Sequence, residues 1–163
     1  MTKDDQVMTS HEADVIDLDR ARSVLLPESA PVIGHPTPRI STPLNDLPSR
    51  GGEVFDFAKE LKLELMPWQK FYFEHALKVR PDSRWAHPIV TTVVSRQSGK
   101  STMMMIRILA GLYLFDEPLQ IASAHRLATS FEQFRTIVSM IEANDSLAKQ
   151  VKRIYWSHGS EEI

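Results

Sequence analysis

Cysteine is missing altogether from the 163 residues, which excludes a disulfide framework, a cysteine-ligated zinc and a thiol nucleophile. A long apolar run is also lacking. The most apolar stretch, Met103 to Phe115, has 13 residues and contains Arg107, short of the roughly 20 that a bilayer-spanning helix needs; it reads as a buried helix. There is no excess of positive charge: a net charge of -2 and a pI near 6.3 exclude a globally basic nucleic-acid binder and leave room only for a local basic patch. The opening MTKDDQVMTSHEADVIDLDR has no apolar core of the kind a signal peptide carries. A cytoplasmic protein is the expectation. The six histidines, at 11, 35, 75, 87, 125 and 158, show neither metal-ligand spacing nor a serine and aspartate in supporting context.

Proline is unevenly spread. Residues 1–50 hold six of the ten prolines and eight acidic against five basic residues, a composition that buries too little apolar surface to offset ordering entropy. Each proline also removes a backbone donor and biases its predecessor away from helix. A disordered arm over 1–50 follows, with a short helix from Ala13 to Leu25 as its only candidate element; it serves either as a docking tether or as an unstructured leader.

From Gly51 the composition changes to that of a folded domain. Val54, Phe55, Phe57, Ala58, Leu61, Leu63 and Leu65 are spaced as a helical stripe. Pro67 stands at a helix start, followed by Trp68, Phe71, Tyr72, His75 and Leu77. Next comes HPIVTTVVS, whose β-branched residues predict a buried strand from Ile89 to Val94. A helix over Thr102 to Phe115, a strand over Leu119 to Ala124, a helix over Thr129 to Glu142 and a strand starting at Val151 to Trp156 complete the series. That alternation predicts an α/β fold, part of a P-loop NTPase, with a parallel sheet flanked by helices over 51–163.

Between the predicted strand and helix lie Ser95, Arg96, Gln97, Ser98, Gly99, Lys100, Ser101 and Thr102. Such a position suits a phosphate loop, in which backbone N–H groups turn inward at a polyphosphate and a helix amino terminus adds positive partial charge. Gly99 permits close approach, Lys100 puts a point charge on the β and γ phosphates, and the Ser101 hydroxyl is placed to ligate Mg²⁺, as GxxxxGK[ST] requires. Val94 occupies the place of the first glycine in that pattern. The competing interpretation is a glycine-lysine-serine turn that caps an ordinary helix.

The run SRQSGKST resembles the deviant Walker A loop of tailed-phage terminase large subunits, in which the first glycine is often replaced and an arginine-glutamine pair precedes GK. Upstream, LMPWQKFYF places Gln69 after Pro67 and Trp68 in a way similar to the adenine-reading glutamine motif of these motors and of related helicases. The side-chain amide of Gln69 offers a donor and an acceptor for the adenine edge; a solvated helix residue is the alternative. QIASAHRLATSFEQFRTI resembles the segment that follows the Walker A helix. The likeness spans roughly Phe55 to Ile163. It implies ATP and Mg²⁺ as cofactors, with Gln69 and Ser95 to Thr102 as the nucleotide-binding residues and Ser101 as the metal ligand. Arg96 and Lys100 are the implied catalytic residues, Arg96 through charge stabilisation on the γ phosphate.

The family's function is ATP-driven packaging of double-stranded DNA into a prohead in the host cytoplasm. Its partners are the portal protein, the small terminase subunit and further copies of itself. No Walker B aspartate with a following glutamate is recognisable here; Glu161 and Glu162 follow no apolar strand, so the chain reads as ending before that motif. A helicase-like ATPase and a catalytically silent interaction module are the alternatives. Lys59, Lys62, Lys70 and Lys78 face either DNA or solvent.

Overall fold

The computed structural model describes residues 35–157 and 161–163. The chain divides into two units, Met1–Gly34 and His35–Ile163, and the described residues all belong to the second. The expected helix over Ala13 to Leu25 lies outside them.

Five helices carry the described part: α1 (Gly51–Glu60), α2 (Pro67–Ala76), α3 (Lys100–Tyr113), α4 (Leu127–Glu142) and α5 (Asp145–Ala148). The first begins where Ser49 Oγ accepts a hydrogen bond from Gly51 N at 3.0 Å, which satisfies one amide that the helix cannot. It ends in a two-bond cap, with Lys62 N donating to Lys59 O and Leu63 N to Ala58 O, both at 2.9 Å. Lys62 adopts φ 58, the left-handed conformation that this kind of helix ending requires. Pro67 opens α2, where its missing N–H leaves no bond unmade. Asn144 caps α5, its side-chain oxygen accepting from the N–H groups of Ser146 and Leu147.

Helical spacing turns one face of each helix inward. Val54, Phe57 and Ala58 of α1, Phe73 of α2, Met103, Ile106, Leu109 and Ala110 of α3, and Ile137 and Ile141 of α4 form one buried cluster, joined by Leu65, Leu77 and Leu147. Phe73, Ile106 and Leu109 are fully buried at its centre. Full burial of such a side chain contributes about 1.5–3 kcal/mol relative to exposure. Backbone pairs tie the end of the predicted arm and Ala86 to the stretch that follows α2: Arg50 N to Leu77 O, Val79 N to Pro48 O, and Ala86 N to Lys78 O.

The predicted parallel sheet is not formed. No strand occurs among the described residues, where bridges are confined to the isolated antiparallel pairs Ser49 with Lys78, Val79 with Trp85, and Tyr155 with Glu162. Ile89 to Val94, expected as a buried strand, is irregular, with Ile89 83% and Val93 90% exposed. Leu119 to Ala124 is likewise irregular, and Ile121 is 85% exposed. The physical reason lies in what β-branched residues encode: a preference for a pleated, half-buried surface, which becomes a strand only when a neighbouring backbone supplies the hydrogen bonds. Neither of these segments meets one, nor does Val151 to Trp156 beyond the single bridge at Tyr155. The described unit is therefore a helical assembly and not an α/β P-loop NTPase fold.

Among the described residues no helix is long and apolar enough to cross a membrane.

Candidate functional site

The residues singled out by the sequence converge on the start of α3. Gly99 immediately precedes the helix with φ 81 and ψ 20, a left-handed conformation that a side chain makes costly. Lys100 is the first helical residue, followed by Ser101 and Thr102 in the first turn, whose amides have no intrahelical acceptor. Met103 N is the first of the series to close a bond, donating to Gly99 O at 3.1 Å. The loop before it, Ser95 to Ser98, turns through Gln97 at φ 59, and Ser95 Oγ and Ser98 Oγ are 2.6 Å apart.

Lys100 folds back over this turn. Its Nζ donates to Ser95 O at 2.6 Å and to Val94 O at 3.0 Å. Two of the three ammonium protons are thus held by loop carbonyls, and the positive charge stays beside the unpaired first-turn amides. Val94, which replaces the first glycine of the pattern, contributes through its carbonyl, a group that every residue type supplies. Arg96 is exposed in the turn, with no ion-pair or hydrogen-bond partner among the described residues. Ser101 is exposed and Thr102 half-buried.

Gln69 reaches the loop from α2. It is 2% exposed, and its amide is engaged at both ends: Oε1 accepts from Met66 N at 2.8 Å and Nε2 donates to Gly99 O at 2.9 Å. The sequence thus assembles Gln69 and Ser95 to Thr102 in one place, across 30 positions of chain. It did not indicate that Gln69 would touch the loop itself, since nothing in the local pattern of LMPWQKFYF encodes a partner that distant.

The remaining candidates lie elsewhere. The backbone of Glu162 pairs with that of Tyr155, and among the described residues no group of three histidine, cysteine or acidic side chains is placed to hold a metal ion. Of the four lysines weighed as facing DNA, Lys78 is 8% exposed with its Nζ 3.6 Å from Glu74 Oε1, and Lys59 pairs with Asp56 at 2.9 Å. Lys62 and Lys70 are exposed. A cavity of about 270 Å³ between the end of α4 and Ile154, lined by Ile141, Glu142, Ala148 and Val151 among others, includes none of the loop residues.

A polar cluster stabilises the far end of α3. Glu117 accepts from Arg107 NH2 at 2.7 Å, from Arg107 NH1 at 3.0 Å and from Trp85 Nε1 at 3.0 Å. Burial pushes the Glu117 carboxyl up, but the hydrogen bonds and charge of Arg107, helped by Trp85, hold it below the ordinary carboxylate range. This cluster fixes the segment that leaves α3 and takes no part in the loop.

No family model, curated protein or solved structure matches this chain.

Proposed function

We propose that the chain binds Mg²⁺-ATP at the Ser95 to Thr102 loop, as the nucleotide-binding portion of a DNA-packaging motor of the terminase large-subunit kind. The observation that carries the reading is the placement of the Lys100 ammonium and the free first-turn amides of α3 around one left-handed glycine, Gly99. A polyphosphate replaces the carbonyls of Val94 and Ser95 as the partner of Lys100. It also accepts hydrogen bonds from the first-turn N–H groups, where the helix dipole favours negative charge.

The Ser101 hydroxyl, exposed at the helix start, would hold a Mg²⁺ that would offset the charge of the phosphates, and the exposed Arg96 would be able to reach the γ phosphate. Coupling to double-stranded DNA translocation, to a portal protein, to a small subunit and to further copies, in the host cytoplasm, rests on the likeness of SRQSGKST and LMPWQKFYF to that family. Calorimetric titration of Mg²⁺-ATP into the purified chain and its Lys100→Ala variant tests the binding step; loss of binding in the variant is expected.

A second reading, a catalytically silent interaction module, is favoured by the exposed apolar residues Ile89, Val93, Leu119 and Ile121, because apolar surface of this kind marks contact sites. A folded chain without nucleotide affinity is its signature.

A further inference from the structure

Among the described residues Gln69 is the only buried polar side chain that links a second helix to the loop, and its contacts assign it a task different from base recognition. We propose that Gln69 is a positioning residue of the phosphate loop: its amide fixes the Gly99–Lys100 peptide and thereby aims the Lys100 N–H, so that it acts on the phosphate end of a ligand and not on its base. This deepens the reading of Ser95 to Thr102 as a phosphate site and rests on it.

Four observations converge. Gln69 Nε2 donates to Gly99 O at 2.9 Å, and Met103 N donates to the same oxygen at 3.1 Å, so both lone pairs of that carbonyl are occupied. A peptide unit is planar and trans, with its C=O and N–H pointing in opposite directions; clamping the Gly99 carbonyl toward α2 therefore turns the Lys100 N–H toward the other side, where the loop lies. Gln69 itself cannot swing, because Oε1 is bound to Met66 N at 2.8 Å at the start of α2 and the side chain is 2% exposed. A Cβ built on Gly99 would stand 2.9 Å from Gln69 Nε2, so glycine is required here by the glutamine as well as by its positive φ. Reading an adenine edge would require Gln69, itself buried, to break both bonds, leaving Met66 N and Gly99 O without their amide partner and the loop unclamped.

The test uses the full chain and the variants Gln69→Glu and Gln69→Met. The first keeps an acceptor for Met66 N but puts a carboxylate in place of the donor to Gly99 O, which also repels anions; the second removes both bonds at similar volume without adding charge, so its ligand affinities decide, and far-UV circular dichroism checks that each retains its helices. Without any ligand, backbone order parameters over Gln97 to Ser101 are expected to fall from about 0.85 to below about 0.6 in both variants. With ligand, the dissociation constants of Mg²⁺-ATP, Mg²⁺-GTP and Mg²⁺-tripolyphosphate, the last having no base, are expected to rise by a common factor of about tenfold, the equivalent of one lost hydrogen bond.

Unchanged order parameters overturn the proposal, as does a loss confined to ATP with tripolyphosphate unaffected. If the unmodified chain binds none of the three, the phosphate-site reading fails. The ligand-free order parameters still decide whether Gln69 holds the loop.

Discussion

Lys100 Nζ donates to Ser95 O at 2.6 Å and to Val94 O at 3.0 Å, so the cation at the head of α3 is held by the backbone of its own loop. Among the described residues Lys100 has no counter-ion, and its two partners are neutral carbonyls. Anionic oxygens form shorter and stronger bonds with an ammonium than neutral carbonyls do. Exchange of the two carbonyls for phosphate oxygens is thus favourable for the lysine, while the released carbonyls turn to water at the exposed loop surface.

The end of α3 should show a pH signature. Glu117 titrates below the ordinary carboxylate value of 4.5, with burial opposing the shift and Arg107 and Trp85 producing it. The unfolded chain therefore takes up this proton at a higher pH than the folded chain does, and stability rises with pH across the window between the two values. The contribution of Glu117 is complete above about pH 5 and is lost as pH falls through its folded value. Glu117→Gln is expected to lower stability near neutral pH by about 1–3 kcal/mol, read as a lower urea midpoint, because it weakens a half-buried Arg107 pair, and the gap to the unmodified chain should narrow in acid. At Glu53, whose side chain is 47% exposed beside Arg50, alanine should change stability by roughly 0.5 kcal/mol or less.

Two adjacent glycines of α1 should respond in opposite directions. A Cβ on Gly51 would stand 2.8 Å from backbone atoms of Phe73 and Glu74, whereas one on Gly52 meets nothing within 4 Å. Gly51→Ala is expected to destabilise by about 1–3 kcal/mol, since the close approach of α1 to α2 leaves no flexible atom to yield. Gly52→Ala should stabilise by about 0.5–1 kcal/mol through the smaller backbone freedom of the unfolded chain. Urea midpoints of the two variants check the signs.

The cap of α1 offers a stabilising change. Lys62 is exposed, at φ 58, and closes the helix with the two bonds from Lys62 N and Leu63 N. A left-handed conformation costs a side-chain-bearing residue about 1–2 kcal/mol, and glycine escapes it with some loss to unfolded-state entropy. Lys62→Gly should therefore raise thermal stability by roughly 0.5 kcal/mol or more, and calorimetry of the two chains measures it.

Periodicity carried the helices well. The stripe over Val54 to Ala58, the proline at Pro67, the apolar run after Thr102 and the expected helix over Thr129 to Glu142 correspond to α1, α2, α3 and α4, while Leu61, Leu63 and Leu65 of the same stripe lie past the end of α1. Each is a local property, visible within a dozen residues. The sheet was a different kind of inference. HPIVTTVVS reports what Ile89 to Val94 prefer, but a strand exists only with a partner, and pairing is set by contacts distant in sequence. The exposed Val93 and Ile121 mark where that inference failed.

The loop was legible because GKS before a helix is itself a local pattern. The role of Gln69 was not: its chemistry as a two-ended amide is plain from its type, while its binding to Gly99 O depends on how α1 and α2 pack against α3. Likewise a lysine at a left-handed helix cap gives no sign in a sequence, where glycine is the expected residue.

Mg²⁺-ATP binding measured by calorimetry on the full chain beside Lys100→Ala, with phosphate release followed in the same samples, bears most directly on the proposed site. Saturable binding by the unmodified chain and its loss in the variant, both samples showing the same helix content, is the predicted result. A folded chain that takes up no Mg²⁺-ATP, or a Lys100→Ala variant that binds as well as the unmodified chain, would contradict it.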